Sequence, residues 1–390
     1  MRRDSAEPRI PAALNRLRLT DFRNFEMLDL ELDARPVCLA GPNGSGKTNI
    51  LEAISLLAPG RGLRGVESEE PLRRAGSDVA SAWAVYAEAI SETGDEATLA
   101  SGLLDGGRRQ TRMDGKPASR GDLARRLPMI ALLPEHDRLF AGPRSDRLKF
   151  FDRLVAASEA SHSEALGNYE KLRSRRQRVL DNGRADPVWL DALETDMAGH
   201  GVALAAGRLH ALARLQAAID AADDSAFPKA DLALDGMVEA ALAEGAEIRD
   251  AEDQLICALV EGRDRDAASG RTLTRGPHRS DLTGRHREKD QPASRCSTGE
   301  QKALTIRLVL AQAQSLTMRG GLIPLLLLDE ACAHLDETRR EGLAEAILEL
   351  GAQAWLTGVE ASLFAAFDDR AQHFEVERGQ VSVQAQSHAL

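Results

Sequence analysis

The apolar positions of this 390-residue chain repeat in two ways, and the change between them divides the sequence. Before residue 145, short apolar or alternating runs separated by Gly, Asp and Asn indicate strands. We expect two strands within 14–33 around a turn at 21–25, and further strands at 83–90, 97–104, 108–113 and 129–133. Asp114-Gly115 is a hairpin signal, so these middle strands should form an antiparallel layer.

From residue 145 to about 222, apolar residues recur at helical spacing instead. Leu148, Phe151 and Leu154 form a first stripe, Tyr169 and Leu172 begin a second, and an alanine-rich stretch at 202–219 follows. Residues 231–237 are expected to form a strand and 251–260 a short helix. The polar, charged segment 284–294 is expected to be a mobile surface loop.

The mixed pattern returns near residue 273. We expect a helix at 303–316, a wholly apolar strand at 323–328, a helix at 341–350, a strand at 354–357 and a hairpin at 374–381. The pattern therefore predicts an α/β head at 14–144 and 268–385, an inserted helical arm at 145–267 and a flexible tail at 1–13.

One segment of the head has the form G-x-x-x-x-G-K-T, between an apolar run and a helix. This is the context of a phosphate-binding P-loop, because glycines let the backbone N–H groups converge on an anion at the helix N-terminus. Lys47 would reach the β- and γ-phosphates and Thr48 would ligate Mg²⁺. The alternative is a glycine-rich turn before an ordinary helix. The predicted ATP-binding residues are Gly41, Pro42, Asn43, Gly44, Ser45, Gly46, Lys47, Thr48 and Asn49.

The apolar strand at 323–328 ends in Asp329-Glu330. A buried parallel strand has a continuous apolar run, and its carboxyl end faces the ligand crevice. Asp329 would hold Mg²⁺, and Glu330 would act as general base toward the attacking water. The alternative is a core strand with an acidic cap.

A second anion site is predicted at Ser297-Thr298-Gly299-Glu300-Gln301, the signature segment, which opens a helix. Because the P-loop already binds the phosphates of its own subunit, this second site is best used on the nucleotide of another subunit. His334-Leu335-Asp336 forms a further acidic turn. Both segments have a plain alternative as helix N-caps.

The formal net charge is −11, so any contact with DNA requires local basic patches. The four cysteines are widely spaced, which suits a reducing cytoplasm, and no apolar run reaches about 18 residues, so no membrane span is predicted. Three basic clusters stand out. They are Lys171, Arg173, Arg175, Arg176 and Arg178; Arg61, Arg64, Arg73 and Arg74; and Arg108, Arg109, Arg112 and Lys116.

These clusters could contact DNA phosphates without sequence preference, or could be ordinary solvated faces. The candidate DNA-contacting residues are Arg173, Arg175, Arg176, Arg178, Arg61 and Arg64. No aromatic residues are interleaved among the charges of 171–178, so gripping of a duplex backbone is favoured over base stacking.

The order of the motifs (P-loop, S-x-G-E-Q, LLLLDE, then LD) is that of ABC-type ATPases, and nearly the whole chain resembles the RecF family, which is related to SMC heads. The resemblance predicts a P-loop ATPase head of ABC/SMC type with an antiparallel β layer and an inserted helical arm. The segments that carry it are 22–25, 41–54, 63–64, 133–137, the G-P-H-R-x-D element at 276–281, and 297–302.

The resemblance implies an ATP-gated clamp that uses ATP and Mg²⁺. Lys47, Asp329, Glu330 and Ser297 would be catalytic, with Thr48 and Asp329 as the metal ligands. Two subunits would enclose the nucleotides, and Arg23 and Asn24 would also touch nucleotide. The contacts to the facing subunit would come from Ser297, Thr298, Gly299, Glu300, Gln301 and Asp336.

By the same resemblance, the clamp would bind DNA at single-strand gaps and act with RecO and RecR to load the recombinase, with weak ATP hydrolysis. Three departures are visible: Glu300 replaces the usual Gln, Ser280 replaces an Asp, and Thr357 stands where a switch histidine would be sought. Thr357 is a candidate γ-phosphate sensor. The alternatives are the nucleotide-binding subunit of a membrane transporter and a P-loop ATPase acting on a small molecule.

Overall fold

The structure, a computed structural model, describes residues 11–58, 62–65, 67–75, 78–90, 96–103, 107–183, 186–223, 226–318 and 322–384. These residues divide into two compact units. Unit 1 comprises the described residues within Met1–Asp137, Ala222–Phe227 and Thr305–Leu390, and unit 2 those within Arg138–Ala221 and Pro228–Leu304. Residues 268–304 belong to unit 2, whereas the sequence pattern assigns them to the head. The functional domain boundaries stay a prediction.

The elements follow in chain order. The first are β1 Leu14–Phe22, β2 Phe25–Glu31, β3 Val37–Ala40, α1 Lys47–Ser55, β4 Arg74–Ala75, β5 Asp78–Val79, β6 Trp83–Ile90, β7 Glu96–Leu103, β8 Gln110–Met113, β9 Lys116–Pro117, α2 Arg120–Arg126 and β10 Met129–Leu132. Next come α3 Arg144–Ser158, α4 Ala160–Asp181, α5 Pro187–Ala221, β11 Ala230–Asp235, α6 Met237–Ala243, α7 Ile248–Glu261, α8 Arg263–Ser269, β12 Asp281–His286 and β13 Gln291–Pro292. The last are α9 Thr298–Met318, β14 Leu325–Leu328, α10 Glu337–Leu350, β15 Ala354–Gly358, β16 Gln372–Glu377 and β17 Gln380–Val383.

A mainly parallel sheet forms the centre of unit 1. Its described strands run in the order β10-β14-β15-β3-β16-β17, with β17 antiparallel to β16. Every residue of β3, β14 and β15 is buried, as expected for parallel strands covered on both faces. Leu328 pairs with Leu356, and Gly358 with Ala40, so the carboxyl ends of these three strands lie at one edge.

The predicted antiparallel layer is present in unit 1 as well. Its described strands have the order β2-β1-β6-β7-β8-β9. Buried residues alternate with more exposed ones along β6 and β7, which indicates a sheet with one face on the core. Phe22 and Trp83 pack edge to face, with ring centroids 5.6 Å apart. This layer and the parallel sheet share one apolar core.

Unit 2 contains the predicted helical arm, in which Tyr169, Met197, Val202 and Leu255 belong to one apolar core. The prediction of a mobile loop at 284–294 is wrong. Those residues include the end of β12 and all of β13, and β11, β12 and β13 form an antiparallel sheet among the described residues. The polar sequence hides this hairpin because only one face of β12 is buried.

The structure contradicts the predicted tail at 1–13 over its last three residues. Residues 1–10 lie outside the described residues, but Pro11 forms a β-bridge with Ile323, and the Ala12 N–H donates to Ile323 O at 2.8 Å. Ala12 and Ala13 are fully buried. The prediction of a loose tail is therefore wrong for residues 11–13, which pack in unit 1.

Candidate functional site

The P-loop connects β3 to α1, and close contacts require glycine at two of its positions. A Cβ on Gly41 (φ +153°) would lie 2.1 Å from the carbonyl oxygen of Val376. A Cβ on Gly46 (φ +117°) would lie 2.5 Å from Asn24 Nδ2. Any other residue would therefore displace backbone or a packed amide. Gly46 is also the N-cap of α1 and provides no side-chain cap, so the N–H groups of the first turn can serve an anion.

The ammonium group of Lys47 lies within the loop. Its Nζ donates to the carbonyl oxygens of Gly41 at 2.6 Å and Pro42 at 2.9 Å, and the residue is buried. Burial lowers the pKa of Lys47, while the negative charges of Glu330 and Asp329 act in the opposite direction. The lysine and both predicted acidic residues therefore belong to one electrostatic site.

Asp329 joins the P-loop helix to the adjacent strand β15. Its Oδ1 accepts hydrogen bonds from Thr48 Oγ1 at 3.0 Å and from Thr357 Oγ1 at 2.6 Å. Thr357 Oγ1 in turn accepts a hydrogen bond from the Glu330 N–H at 2.8 Å. The structure thus brings together the predicted residues Thr48, Asp329 and Glu330 and adds the fully buried Thr357 as a link between them.

The backbone at Glu330 has an unusual conformation. Its φ is +52°, a left-handed value that costs a residue with a side chain about 1–2 kcal/mol. Strained backbone of this kind persists only where its surroundings fix it, and the hydrogen bond to Thr357 does so here. The direction in which the Glu330 side chain leaves the chain therefore depends on Thr357.

This arrangement revises the interpretation of Thr357 as a γ-phosphate sensor. A hydroxyl group has one proton, and that of Thr357 is donated to Asp329. A role in positioning Asp329 and Glu330 is favoured over direct contact with a phosphate. The sequence gives no signal for this role, because it depends on β15 lying beside β14 in the sheet.

Arg23 and Asn24, predicted to touch nucleotide, have protein partners in this structure. The Arg23 guanidinium donates to the buried carboxylate of Glu52 at 2.6 Å and 3.0 Å. Asn24 Nδ2 donates to the carbonyl oxygen of Ser45 at 2.9 Å, and its Oδ1 accepts from Asn49 Nδ2 at 2.8 Å. These bonds brace the P-loop, and a direct contact with nucleotide stays a prediction.

The signature segment lies in unit 2, at the start of α9. Ser297 and Glu300 form a reciprocal cap: the Ser297 N–H donates to Glu300 Oε2 at 2.9 Å, and the Glu300 N–H donates to Ser297 Oγ at 3.4 Å. Lys289 also binds Glu300, and this hydrogen bond, followed by that from the Ser297 backbone, lowers the Glu300 pKa to about 2. Glu300 therefore stays ionised and can replace the more usual glutamine as the cap.

Gln301 and Asp336 also have partners within the chain, and for Asp336 this is the helix N-cap role that the sequence analysis gave as the alternative. Gln301 Nε2 donates to the carbonyl oxygen of Cys296 at 2.9 Å, and its Oε1 accepts from the Ala141 N–H at 3.0 Å. Asp336 is the N-cap of α10 and accepts from the Arg339 N–H at 2.9 Å. Contacts with a second subunit stay a prediction for these two residues and for Ser297, Thr298, Gly299 and Glu300.

One of the predicted DNA-contacting residues is not on the surface. Arg176 is fully buried, and its guanidinium donates to Glu194 and Asp266 at 2.7 Å each and to the carbonyl oxygen of Leu259 at 2.7 Å. The prediction that Arg176 contacts DNA is therefore wrong. Its charge is used to join α4, α5, α7 and α8 within unit 2.

The remaining predicted basic residues differ in their surroundings. Arg175 is exposed, whereas Arg173 is paired with Glu170, and Arg178 Nε donates to the carbonyl oxygen of Ser174 at 3.4 Å. Arg64 donates to Glu52 at 3.3 Å. Arg61 lies outside the described residues. Contact of Arg173, Arg175, Arg178 and Arg64 with DNA stays a prediction.

The donor set at Asp329 suits the metal that the sequence predicts. No group of three or more His, Cys, Asp or Glu that could hold a metal ion occurs in the described part of the chain. Thr48 and Asp329 instead offer a hydroxyl and a carboxylate whose oxygens are 3.0 Å apart. Mg²⁺ is commonly held by such a sparse set of hard oxygens, completed by water and substrate phosphates, so these residues fit Mg²⁺.

Comparison with known proteins places this geometry in a family. Residues 13–382 match the sequence model described as RecF/RecN/SMC N terminal domain. The chain is 44% identical over 375 residues to the DNA replication and repair protein RecF of Agrobacterium fabrum, covering 95% of this chain and 98% of that protein. The chain belongs to the RecF family. The RecF protein of Caulobacter vibrioides is 47% identical over 369 residues, covering 92% of this chain and 95% of the relative.

Solved structures agree on the fold. The recombination mediator protein RecF-ATPrS of the RecFOR pathway superposes with a TM-score of 0.82 at 22% identity, covering 97% of this chain and 99% of that chain. A Pyrococcus furiosus Smc head domain bound to part of ScpA gives a TM-score of 0.55 at 15% identity, covering 96% of both chains. The predicted ABC/SMC-type head with an antiparallel layer and helical segments is confirmed.

RecF membership also bears on the competing functions. It places the chain in an ABC/SMC-type ATPase family whose relatives are named DNA replication and repair proteins. Neither the transporter subunit nor the small-molecule ATPase is favoured. In the part of the chain that the structure describes, no helix combines the length and apolar character that a membrane crossing requires.

Proposed function

We propose that this RecF-family protein is an ATP-dependent DNA-binding clamp of the cytoplasm that acts in repair and replication-fork recovery. The observation that carries the proposal is the Thr48–Asp329–Thr357–Glu330 chain of hydrogen bonds beside the Lys47 loop. It joins a phosphate-binding loop to a general base through one buried carboxylate. A loop that only binds an anion, without hydrolysing it, would not need a general base linked to it in this way.

The residues suggest how ATP is held and cleaved. Backbone N–H groups of 43–48 bind the phosphates, and the Lys47 ammonium exchanges its carbonyl partners for phosphate oxygens. Thr48 and Asp329 would hold Mg²⁺, which supplies charge neutralisation at the phosphates when bound. The Glu330 carboxylate accepts a proton from the water that attacks the γ-phosphorus. We expect weak hydrolysis, because the reaction serves as a switch.

The nucleotide site is proposed to be completed by a second copy of the chain. The signature segment begins a long helix, and a serine hydroxyl at a helix N-terminus is an arrangement that binds anions, although the Glu300 N–H is already capped by Ser297 Oγ. In the homodimer, each Ser297 would contact the γ-phosphate held by the facing subunit. ATP binding would then favour the closed dimer, and hydrolysis would reopen it.

DNA binding is the proposed output of this switch. The clamp would bind at single-strand gaps or junctions without sequence preference, and RecO and RecR are the proposed partners in loading the recombinase. The pathway named for the similar solved structure and the names of the relatives support this assignment. Arg176 takes no part in the contact, because it is buried.

Mixing two inactive variants tests the composite site. Glu330→Gln removes the base of its own site, and Ser297→Arg blocks the site of the facing subunit. Either variant alone should be inactive. A mixed dimer contains one intact site, so an equimolar mixture should recover about a quarter of wild-type turnover if subunits exchange at random. Light scattering with and without ATP measures dimer formation in parallel. No recovery despite a mixed dimer would contradict the composite site.

Thr357→Val is expected to lower kcat for ATP by about 10- to 100-fold. The variant removes the hydrogen-bond acceptor of the Glu330 N–H, and leaving a buried polar group unpaired costs a free energy of about 1–3 kcal/mol. The concentration of Mg²⁺ needed for half-maximal rate should rise, because Asp329 loses a hydrogen bond that orients it. Valine keeps the branched shape of threonine, so packing is preserved. Steady-state kinetics with varied ATP and Mg²⁺ measures both effects.

Thr357→Ser is the matched control, because it keeps the hydroxyl. It should retain most of the wild-type kcat and its Mg²⁺ dependence. A Thr357→Val protein with unchanged kcat, or a serine variant as impaired as the valine variant, would contradict the positioning role.

A further inference from the structure

A polar cavity of about 880 Å³ lies in unit 2, and none of the residues assigned above to ATP is in its lining. Its wall includes part of the G-P-H-R-x-D element at 276–281, which the proposed ATP chemistry does not use. The charged residues that line it are Arg144, Arg275, Arg279, Asp235, Glu244 and Asp281.

The charges of this cavity do not cancel. Arg147 neutralises Asp281 through two hydrogen bonds of 2.7 Å each. Arg144 is fixed in the wall by donating to the carbonyl oxygen of Arg279 at 2.6 Å. Among the described residues, the guanidinium groups of Arg275 and Arg279 have no hydrogen-bond or ion-pair partner. The wall therefore presents three arginines against the two remaining carboxylates.

The lowered pKa of a buried histidine is consistent with the same excess of positive charge. His278 shares a hydrogen bond of 2.7 Å with the Tyr169 hydroxyl. Its pKa is lowered to about 3, first by burial and then by the charges of Arg173, Arg279 and Arg144. Arg173 of α4 thus adds its charge to the region that the cavity arginines occupy, and His278 is neutral at physiological pH.

Hydrogen bonds from buried charged residues fix the loop that carries Arg275 and Arg279. Arg208 donates to the carbonyl oxygen of Pro277 at 2.7 Å and to Asp152 at 2.8 Å and 2.9 Å. Ser280 Oγ donates to the buried Glu239 at 2.7 Å. Buried ion networks cost desolvation energy and stabilise little, but this one fixes the loop. A fixed loop reduces the ordering cost of a ligand that binds the arginines.

We propose that this cavity is a phosphate-binding cleft for the sugar–phosphate backbone of DNA, with Arg275 and Arg279 as the contacting residues. The inference rests on the proposed function, since it names the surface that the DNA contacts. Arginine pairs bidentately with phosphate oxygens, and the cavity is larger than one phosphate requires. Asp235 and Glu244 disfavour a compact polyphosphate, whereas a DNA strand separates its phosphates with sugars and bases.

The test measures ATP-dependent binding of the full-length protein to a fluorescent gapped duplex by anisotropy over a series of salt concentrations. The double variant Arg275→Gln/Arg279→Gln should bind at least about 10-fold more weakly. The plot of log K against log salt has a negative slope, and its magnitude should decrease by about 2, one for each lost phosphate contact. ATP turnover without DNA should stay near the wild-type value. Arg275→Lys/Arg279→Lys should restore much of the affinity.

The matched control is Lys149→Gln/Arg249→Gln, which removes two charges from unit 2 outside the cavity and should keep the wild-type slope. If wild type binds DNA and the cavity variant has the same affinity and slope, the cleft is wrong while the proposed function stands. If wild type shows no ATP-dependent DNA binding, the proposed function fails first. If DNA binding is unchanged but binding of RecR is lost, the cavity serves a protein partner, which overturns the inference.

Discussion

Replacing Lys47 by methionine is expected to abolish ATP turnover and ATP-dependent DNA binding together. The methionine chain preserves much of the length and packing of lysine but removes the ammonium that now lies between Gly41 O and Pro42 O. No other cation takes part in the hydrogen bonds described within the P-loop. Loss of one preorganised charge at a phosphate typically reduces turnover by about 10²- to 10³-fold. Phosphate release and DNA anisotropy measure the two losses.

Lys149→Met is the control for this change. Lys149 has a largely exposed side chain on α3, 3.9 Å from Asp146 at the closest, so its removal changes net charge equally without touching the loop. It should leave turnover and DNA binding unchanged. If the Lys47 variant lost turnover but kept ATP-dependent DNA binding, binding of ATP would not control the clamp and the proposed switch would be wrong.

Glu330→Gln is expected to separate the two functions that Lys47 combines. Glutamine has the shape of glutamate but cannot accept the proton of the attacking water, so turnover should fall by about 10²- to 10⁴-fold. The N–H of residue 330 still donates to Thr357, so the turn should keep its form. ATP should therefore remain bound, and the dimer should persist. Light scattering with ATP should show a longer-lived dimer than in wild type.

Glu375→Gln offers a comparison with the same chemical change on β16, where the side chain is exposed. It should retain wild-type turnover and dimer lifetime. A Glu330→Gln protein that hydrolyses ATP at the normal rate would show that another group is the base. A variant that neither hydrolyses ATP nor dimerises with it, while the control does both, would contradict the composite dimer.

The sequence predicts the local parts of the candidate site well. Lys47 and Thr48 follow from a contiguous motif, and Asp329 and Glu330 from the end of an apolar strand, because each pattern fixes its own backbone and needs no distant information. Thr357 could not be assigned in this way. Its role depends on the order β14-β15-β3, which strand patterns do not specify.

Errors in the sequence interpretation have a common physical cause. Arg176 lies in a basic run and is nonetheless buried, because Glu194 and Asp266 reach it from two other helices. Charge patterns identify solvated faces only when no distant partner compensates the charge. The segment 284–294 was equally misleading, since β12 pairs with β11 and β13 pairs with β12, and the strands do not depend on a run of apolar residues of their own. In both cases, residues distant in sequence decide whether a polar segment is buried or paired, and a single sequence does not show which distant residues will be the partners.

The position of β3 has a consequence for how the chain folds as it leaves the ribosome. Val37 pairs with Trp355 on one side and with Gln372 on the other, and the Gly379 N–H donates to Ser45 O at 3.2 Å. The strand that ends in the P-loop is therefore synthesised early, while both of its neighbours come from the C-terminal part of the chain. Such pairings of high sequence separation form slowly and leave edges exposed in the meantime. A nascent or truncated chain that lacks β15 and β16 should be unable to bind nucleotide, so we expect ATP binding only after both of these strands have been synthesised and have paired with β3.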